Sequence, residues 1–344
     1  MDLSAGLVAT LSTASSGFLD ELSGSSSESS GSLAVIVLGP TGSGKTALSL
    51  ELAERFGGEI VSCDSVAVYR GMDLGTAKPT AAEQARVRHH LIDVTTPDKP
   101  FTAGEYSRQA RAALRDIAAR GRLPIVTGGT GLYLRALTQG LFAAPKRQEG
   151  LRARLTRSRE RHGKDWLHRV LKRLDPASAA RIHANDSAKL IRAIEVCVGG
   201  KRPMSDVLAD EVKARDPLTG FRLLRLGLDP PRKELYERLN GRAREMFELG
   251  LVEETRLLLE RYGPVKALDS LGYRQALALQ AGLLSEQAGI EAAQQGHRNY
   301  AKRQMTWFRR EPDVRWMRGF GGDQETVDAA TKLVRSGLRF DPTE

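Results

Sequence analysis

The sequence has few cysteines. Cys63 and Cys197 are its only two, and they lie far apart in apolar surroundings. Two isolated cysteines exclude a cysteine zinc cluster and a disulfide framework, and they favour a reducing cytoplasm as the location of the protein. Cys63 lies beside a candidate site described below, but a small buried side chain is a commoner role for cysteine than a nucleophile. We therefore expect Cys63 to be buried and unreactive.

A membrane or export segment is also missing. No apolar run approaches the ~20 residues that a membrane-crossing helix needs, and hydrophobic residues make up a moderate 41% of the chain. Residues 1–32 are rich in Ser and Gly and do not begin with the basic stretch of a secretory signal. The sequence therefore predicts a soluble cytoplasmic protein that does not contact a membrane. It also predicts a disordered tail over residues 1–32.

The charge of the chain is uneven. The whole sequence carries a formal net charge of +10. Residues 146–202 alone hold 16 Lys and Arg against 6 Asp and Glu, a balance of +10, so the rest of the chain is close to neutral. This segment has the periodicity of helices, and a helical face exposed only to water usually mixes charges of both signs. We therefore predict a basic helical insertion over residues 146–214 that binds nucleic acid.

A phosphate-binding loop follows the first buried strand. The motif GPTGSGKT comes after LAVIVL at 33–38, an uncharged run typical of a strand, and before a helical pattern that ends at Gly57. In this setting backbone N–H groups cradle phosphates, Lys45 supplies a positive charge and Thr46 a hydroxyl ligand for Mg²⁺. We expect Mg²⁺ as cofactor and phosphate contacts from Gly39, Pro40, Thr41, Gly42, Ser43, Gly44, Lys45 and Thr46. The motif suits ATP and other diphosphate esters equally, so it leaves the ligand open.

Further strands and helices alternate along the chain. The runs EIVSCDS, LPIVTGG and FRLLRLGLD have the composition of strands, and residues 102–120 have the pattern of an amphipathic helix. This alternation predicts an α/β fold, a P-loop NTPase-like core with a parallel sheet flanked by helices, plus the helical insertion. We assign residues 33–145 and 215–320 to the catalytic core and residues 321–344 to a C-terminal tail.

The predicted sheet brings three segments together. Ligands of such sheets bind at the carboxyl ends of the strands. The phosphate loop, Asp64 and the GGTGLY segment at 128–133 each follow a predicted strand. We therefore expect all three to line one crevice.

A later helical stretch mixes basic and aromatic residues. It contains Arg298, Lys302, Arg303, Arg309 and Arg310, with Tyr300, Trp307 and Phe308 between them. This mixture suits phosphate contacts combined with packing or base stacking. The aromatic residues alone are more typical of a protein core.

The chain lacks the acidic pair that activates water in nucleotide-hydrolysing motors. LPIVTGG ends in glycines, and the apolar run before Asp93 in HHLID is short. A single carboxylate, Asp64, follows the strand next to the phosphate loop, which suits removal of a proton from an acceptor during group transfer. A carboxylate there can also cap a turn or bind Mg²⁺ through water, and both roles stay open at this point.

Six segments in register give the chain a family resemblance. Between residues 33 and 310 it contains, in this order, GPTGSGKT, CDSVAVYRGMDLGTAKP, HHLID, GGTGLY, HANDSAKLIRAIEV and YAKRQMTWFRR. Together these segments resemble the tRNA dimethylallyltransferases, also called tRNA isopentenyltransferases. The resemblance implies transfer of the dimethylallyl group of dimethylallyl diphosphate to the exocyclic amine of the adenosine beside the tRNA anticodon, with release of pyrophosphate. It also implies a monomer. The absence of the zinc finger known in eukaryotic relatives is consistent with an enzyme of bacterial type.

The resemblance also assigns roles to individual residues. It implies that Asp64 accepts the proton of the amine, that Arg242 adds a cation at the leaving diphosphate and that Thr130 lies near the target nucleotide. The anticodon stem-loop would contact the crevice, the insertion and the YAKRQ helix. The residues implied at the tRNA are Asp64, Ser65, Val66, Ala67, Thr130, Arg152, Ala188, Lys189, Leu190, Ile191 and Arg192.

Three positions depart from the family pattern, and three alternatives stay open. The family often has Gln at Ala67 and Gln-Arg at Ala188-Lys189, and lysine lacks the two-pronged fork of arginine. These departures concern single base contacts and not the reaction. The alternatives are a small-molecule kinase, a transferase that prenylates free adenine nucleotides, and an RNA-binding protein without activity. The basic insertion argues against the first two, and Asp64 beside an intact phosphate loop argues against the third.

Overall fold

The computed structural model describes residues 31–76, 78–141, 145, 147–211 and 216–339. Residues 1–30 of the predicted N-terminal tail lie outside the described residues. Ser32, the last residue assigned to that tail, instead begins the first strand. Within the described part of the chain, no helix combines the length and the apolar character that a membrane span requires.

Six strands form one sheet. Runs rich in Val, Ile and Leu build its centre, because central strands of a parallel sheet are covered by helices on both faces. The strands are β1 Ser32–Leu38, β2 Gly58–Ser62, β3 His89–His90, β4 Leu123–Thr127, β5 Phe221–Leu228 and β6 Val314–Met317. Their order across the sheet is β3-β2-β4-β1-β5-β6. All pairings between these strands are parallel.

The register of the central strands determines where a site can form. Ile36 of β1 lies opposite Val126 of β4 and Arg225 of β5. Val126 also lies opposite Val61 of β2. The carboxyl ends of β1, β2 and β4 therefore lie side by side at one edge of the sheet, where ligands of this architecture bind.

The helices follow the strands in the predicted alternation. The N-terminal half contains α1 Lys45–Phe56, α2 Ala81–Arg86, α3 Ala103–Ala119 and α4 Gly131–Gln139. The insertion contains α5 Glu149–His162, α6 Trp166–Leu174, α7 Pro176–Arg181, α8 Ser187–Gly200 and α9 Met204–Glu211. The C-terminal half contains α10 Arg232–Glu248, α11 Leu251–Tyr262, a 3₁₀ turn Lys266–Asp269, α12 Tyr273–Gln280, α13 Glu286–Phe308 and α14 Gln324–Arg339.

Helices cover both faces of the sheet. On one face, α1 and α14 bury apolar side chains such as Leu50 and Val334 against β1 and β5. On the other face, α3 and α4 bury Leu114 and Leu137. A further cluster joins Met72 to α10, α11, α12 and α13. The predicted α/β architecture is confirmed.

The predicted C-terminal tail contains core structure. Helix α14 lies within the residues 321–344 that the sequence analysis assigns to a tail, and Val327, Ala330 and Val334 are buried in the sheet cluster. The tail assignment is therefore wrong for this helix. Its apolar positions recur with helical spacing, a signal that the sequence analysis does not use. Residues 340–344 lie outside the described residues.

The insertion has an apolar cluster of its own. Leu155, Leu167, Leu171, Leu190 and Ile194 pack together between α5, α6 and α8. Residues 142–144, 146 and 212–215, which flank the insertion, lie outside the described residues. A separate cluster is what an inserted helical unit needs in order to hold its shape.

Candidate active site

The phosphate loop joins β1 to α1 in a conformation that glycine permits. Gly42 and Gly44 have φ values of 80° and 86°, which would strain a residue with a side chain. The Ser43 N–H donates to the Pro40 carbonyl at 3.2 Å and closes the turn. Gly44 directly precedes α1. The loop therefore stands at a helix N-terminus, where backbone N–H groups favour phosphate.

Lys45 gives this loop a cation without an ion-pair partner. Its Nζ donates to the Pro40 carbonyl at 2.9 Å. Among the described residues, no carboxylate lies within ion-pair distance of Nζ. Burial lowers the pKa of Lys45 from 10.5 to about 8; Asp64 opposes this shift and Arg242 adds to it. An anion bound beside Lys45 would restore its charge.

Gln304 of α13 ties the phosphate loop to the segment after β4. Its Oε1 accepts the backbone N–H of Thr41 at 2.8 Å. Its Nε2 donates to the carbonyl of Gly129 at 2.9 Å. Because Gln304 is buried, both hydrogen bonds are protected from water. One side chain thereby fixes the distance between two loops of the site.

Glycines allow the GGTGLY segment to pack closely on its neighbours. A Cβ on Gly128 would lie 2.2 Å from the carbonyl oxygen of Cys63, and a Cβ on Gly131 would lie 2.4 Å from the Trp307 ring. No side chain fits at either position. This close approach brings Thr130 against the end of β2.

Thr130 contacts the residue that follows Asp64. The Ser65 N–H donates to Thr130 Oγ1 at 3.0 Å, and the Thr130 N–H donates to the Cys63 carbonyl at 3.1 Å. The ends of β2 and β4 therefore lie together, as the parallel sheet predicts.

Asp64 is held by one of its two carboxylate oxygens. Oδ1 accepts the N–H of Val66 at 2.8 Å and the N–H of Ala67 at 3.2 Å. Within the described part of the chain, Oδ2 has no hydrogen-bond partner. The turn-capping role and the proton-accepting role that the sequence leaves open are thus compatible, because they use different oxygens.

Arg242 of α10 contributes a second cation. Its Nη1 donates to Thr41 Oγ1 at 3.2 Å. Burial lowers the pKa of Arg242 from its ordinary value, while the charges of Asp64 and Glu245 act in the opposite direction. Arg242 therefore stands beside the phosphate loop and is not an exposed arginine of the helix surface.

Two adjoining cavities, each of about 310 Å³, meet at Asp64. The loop cavity is lined by the phosphate loop, including Lys45 and Thr46. The side cavity is lined by residues of α12 and α13, including Arg274 and His297. The residues that line both cavities are Thr41, Asp64, Thr76, Arg242 and Tyr300.

His297 brings a neutral imidazole to the side cavity. Burial lowers the pKa of His297 to about 4, and the charges of Arg242 and Arg274 lower it further. Its Nε2 has no hydrogen-bond partner. The side cavity therefore holds an uncharged ring between arginines at neutral pH.

Thr46 is placed where a P-loop holds Mg²⁺. Its side chain lines the loop cavity, and Asp64 lines the same cavity. No group of three or more His, Cys, Asp or Glu side chains able to hold a metal occurs among the described residues. Mg²⁺ at a phosphate site needs few protein ligands, because waters and phosphate oxygens complete its octahedron. These donors fit a Mg²⁺ that the substrate itself helps to hold.

Both arginines implied at the tRNA contact a buried carboxylate. Arg152 Nη1 lies 3.0 Å and Arg192 Nη1 2.8 Å from Oε2 of Glu195. Glu195 is fully buried and also accepts the Gln148 N–H at 2.6 Å. Breaking such a buried pair leaves an uncompensated charge. Arg152 and Arg192 therefore stabilise the insertion, whatever else they contact.

The segment from Ala188 to Arg192 presents only some of its side chains. Leu190 and Ile191 are buried in the insertion cluster. Ala188 and Lys189 are exposed, and Lys189 Nζ pairs with Asp186 at 2.6 Å. Leu190 and Ile191 thus lie on the inner face of α8, where their side chains pack within the insertion, and a contact of this part of α8 with tRNA stays a prediction.

Burial and pairing bear on three other expectations. Cys63 is buried, as expected, and this burial raises the pKa of its thiol to about 12, which disfavours the nucleophilic thiolate. Phe308 is a core residue, whereas Tyr300 lines both cavities. Asp93 of HHLID pairs with Lys78 at 2.6 Å, so it is not a free carboxylate of the site.

Sequence reasoning does not find Gln304, His297 or Arg238, which also lines the loop cavity. Gln304 lies inside the YAKRQ segment, whose recognisable pattern is its mixture of basic and aromatic residues. A buried amide has no periodicity or charge signature of its own. An uncharged polar residue among the buried positions of α13 is the one signal that points to it.

Comparison with known proteins agrees with this geometry. Residues 67–311 match the family model described as IPP transferase. The chain is 61% identical over 305 residues to a protein of Koribacter versatilis named tRNA dimethylallyltransferase, which covers 88% of this chain and 98% of that protein. It is 52% identical over 306 residues to a protein of the same name from Solibacter usitatus, with the same coverage.

Solved structures have the same architecture. A tRNA isopentenylpyrophosphate transferase of Bacillus halodurans matches with a TM-score of 0.67 and 33% identity, over 90% of this chain and 98% of that one. A eukaryotic dimethylallyltransferase acting on tRNA matches with a TM-score of 0.72 over 90% of this chain and 79% of its own. At 24% identity, the latter match supports the fold alone.

Proposed function

The chain belongs to the IPP transferase family, and on that premise we propose that it transfers the dimethylallyl group of dimethylallyl diphosphate to an adenosine of tRNA. The acceptor atom is the exocyclic amine of the adenosine beside the anticodon, and pyrophosphate is released. The observation that carries this proposal is the position of Asp64 between two cavities.

The loop cavity suits the diphosphate. The backbone N–H groups at the start of α1 favour phosphate oxygens. Lys45 and Arg242 both line the cavity and add positive charge to it. Negative charge grows on the diphosphate as it leaves, so fixed donors and cations at this place lower the barrier.

Mg²⁺ is the proposed cofactor, with the Thr46 hydroxyl and diphosphate oxygens as its ligands. When bound, it supplies further positive charge for the leaving group. The protein itself orients the diphosphate through the phosphate loop and Lys45. These contacts do not depend on whether Mg²⁺ is bound.

The side cavity suits the adenine, and Asp64 suits its proton. The amine nitrogen forms a bond to the first carbon of the dimethylallyl group. The bond from that carbon to the diphosphate oxygen breaks, and its electron pair leaves with pyrophosphate. Oδ2 of Asp64 accepts the amine proton, while Oδ1 stays bound to the Val66 and Ala67 N–H groups. The nitrogen is a poor nucleophile until this hydrogen bond forms, because its lone pair is delocalised into the ring.

An adenine can enter the side cavity only after it leaves the base stack of its loop. The basic insertion and exposed cations of α13, such as Arg303 and Lys302, are the proposed contacts for the anticodon stem. Ser65, Val66, Ala67, Thr130 and the exposed part of α8 remain proposed tRNA contacts. A monomeric cytoplasmic enzyme remains a prediction as well.

Two alternatives have separate chemical signatures. A transferase for free adenine nucleotides needs the same two cavities but gains nothing from sixteen cationic residues in residues 146–202. A small-molecule kinase needs ATP in the loop cavity and transfers phosphate. We propose that the phosphate loop holds the leaving group of the substrate, and that ATP is not required.

The test is a transfer assay with isotope-labelled dimethylallyl diphosphate, unmodified tRNA and, separately, AMP. We expect label in tRNA, in a nucleoside next to the anticodon, without added ATP. Label in AMP but not in tRNA would support the free-nucleotide alternative. Absence of label in both, with phosphate transfer from ATP, would overturn the proposal.

A further inference from the structure

Arg238 lies one helical turn before Arg242 on α10 and lines the same loop cavity. Its guanidinium carbon lies 4.0 Å from the centroid of the Phe320 ring. Among the described residues, no carboxylate pairs with Arg238. Stacking on an aromatic face orients a guanidinium without neutralising it, so its donors stay available for an anion.

Phe320 is itself held rigidly. The ring is buried in a small cluster with Leu235, Leu239 and Ala301. The Phe320 N–H donates to Oδ2 of Asp323 at 2.7 Å. A buried ring with a fixed backbone provides a firm platform for Arg238.

The glycine segment Gly319–Gly322 places this platform against the phosphate loop. The Gly321 N–H donates to the Ser43 carbonyl at 2.8 Å. A Cβ on Gly321 would lie 2.2 Å from the carbonyl oxygen of Gly44. Only glycine allows this approach, so the position of Phe320 is tied directly to the loop that binds phosphate.

The loop cavity holds more positive than negative charge. Lys45, Arg238 and Arg242 line it, against the single carboxylate of Asp64. Lys78 lines it too, but its charge is paired with Asp73 and Asp93. Like charges four residues apart on a helix repel each other, and the charge of Arg242 already lowers the pKa of Lys45. A bound polyanion would relieve this repulsion.

We propose that Arg238 binds the diphosphate of the substrate, together with Lys45 and Arg242, and that Phe320 is the residue that positions it. This inference rests on the proposed function, because it assigns the loop cavity to a diphosphate. The glycine segment follows the residues 67–311 that match the family model, so it extends the site beyond them.

The test measures binding of pyrophosphate, with Mg²⁺ present, by calorimetry. Arg238→Ala should raise the dissociation constant about tenfold or more, the loss expected for one hydrogen-bonded charge. The matched control is Arg244→Ala, which removes the same charge from a position of the same helix that is exposed, as Arg238 is, but does not line the loop cavity. It should bind pyrophosphate like the unchanged protein. Equal affinities of the two variants would overturn the assignment of Arg238.

The positioning role of Phe320 needs a readout that a loss of folding would not move. Phe320→Leu keeps a buried apolar side chain and removes the stacking surface. We expect a higher KM for dimethylallyl diphosphate with an unchanged KM for tRNA, and no further loss of affinity for pyrophosphate when Arg238→Ala is added. Destabilisation alone would lower the active fraction and leave both KM values unchanged. That result, or additive losses in the double variant, would overturn the role of Phe320.

Failure of the proposed function has a different outcome. If the unchanged protein and Arg244→Ala neither bind pyrophosphate nor label tRNA, the proposed function fails, and the inference fails with it. If both proteins bind pyrophosphate and label tRNA, and Arg238→Ala binds pyrophosphate with the same affinity as they do, the inference fails and the proposed function stands.

Discussion

The side-chain carbonyl of Gln304 accepts a hydrogen bond from the backbone N–H of Thr41 at 2.8 Å, across 263 positions of the sequence. The same side chain donates to Gly129. A helix near the C-terminus thereby sets the spacing between the phosphate loop and the segment that carries Thr130. The geometry of the site depends on this contact as much as on the loop motif.

Replacement of Gln304 by Met keeps the side-chain volume and removes both hydrogen bonds. The Thr41 N–H and the Gly129 carbonyl then lose their partner in a buried place. We expect a loss of about 1–3 kcal/mol in the free energy of unfolding, together with a higher KM for dimethylallyl diphosphate. Chemical denaturation and steady-state kinetics measure the two effects. Gln287→Met, at an exposed position of the same helix, is the control, and equal behaviour of the two variants would contradict the bridging role.

The lowered pKa of Lys45 predicts how substrate binding depends on pH. Binding requires the protonated amine, and burial holds the pKa of free Lys45 at about 8. The dissociation constant of dimethylallyl diphosphate should therefore stay level below pH 8. Above pH 8 it should rise by up to about tenfold per pH unit, as one proton must be taken up on binding.

Lys45→Arg provides the control for this pH dependence. An arginine keeps its charge throughout the range, so its binding curve should be flat from pH 7.5 to pH 9.5, measured by calorimetry without tRNA. A rise of the same steepness in the variant would show that another group titrates.

Exposed cations of the insertion should determine the salt dependence of tRNA binding. Arg157 and Arg161 are exposed on α5. Each change to Ala should lower the slope of log affinity against log salt by about one if the residue contacts a phosphate. Filter binding over a salt series measures the slope. Arg256→Ala on α11, where Arg256 pairs with Glu253 and Glu260, should leave it unchanged.

Arg152→Ala should behave differently from those variants. It removes a partner of the buried Glu195, so it should lower the free energy of unfolding by about 2 kcal/mol or more. An unchanged melting temperature would contradict the structural role of Arg152.

His297 predicts a loss of stability in mild acid. Its pKa is about 4 in the folded protein, below the ordinary value near 6.5. The unfolded chain therefore binds the proton first, so stability is full above pH 6.5 and falls as the pH drops toward 4. Between pH 6.5 and pH 5 the contribution amounts to about 2 kcal/mol. Denaturation at several pH values measures the free energy of unfolding. It should fall less steeply with decreasing pH in His297→Gln than in the exposed control His162→Gln. Equal slopes for the two variants would contradict the role of His297.

The central part of the fold is predictable from local signals. LAVIVL, the phosphate loop and the following helix each carry their own pattern, and all are confirmed as β1, loop and α1. The convergence of Asp64 and Thr130 follows from the rule that parallel strands end at one edge. Local patterns suffice where the chain order itself determines the neighbours.

Contacts between distant segments are not predictable in this way. From the far end of the chain, Gln304 and Gly321 reach the phosphate loop, and Phe320 reaches Arg238 of the same cavity. No spacing in the sequence records that approach. Likewise, a count of basic residues cannot separate the exposed Arg157 from Arg152, whose partner Glu195 is buried on another helix. The sequence analysis does not predict helix α14, because only the amphipathic spacing of its apolar residues distinguishes it from a tail.

The rate of a single turnover of Asp64→Asn tests the central claim most directly. Asparagine keeps an oxygen that can accept the Val66 and Ala67 N–H groups, so the turn should persist, but it cannot accept the amine proton. With saturating labelled dimethylallyl diphosphate and unmodified tRNA, transfer should slow by ~10²-fold or more, while the affinities for both substrates and the melting temperature stay unchanged. A variant that binds both substrates and transfers the group at the rate of the unchanged protein would contradict the assignment of Asp64 as the base between the two cavities.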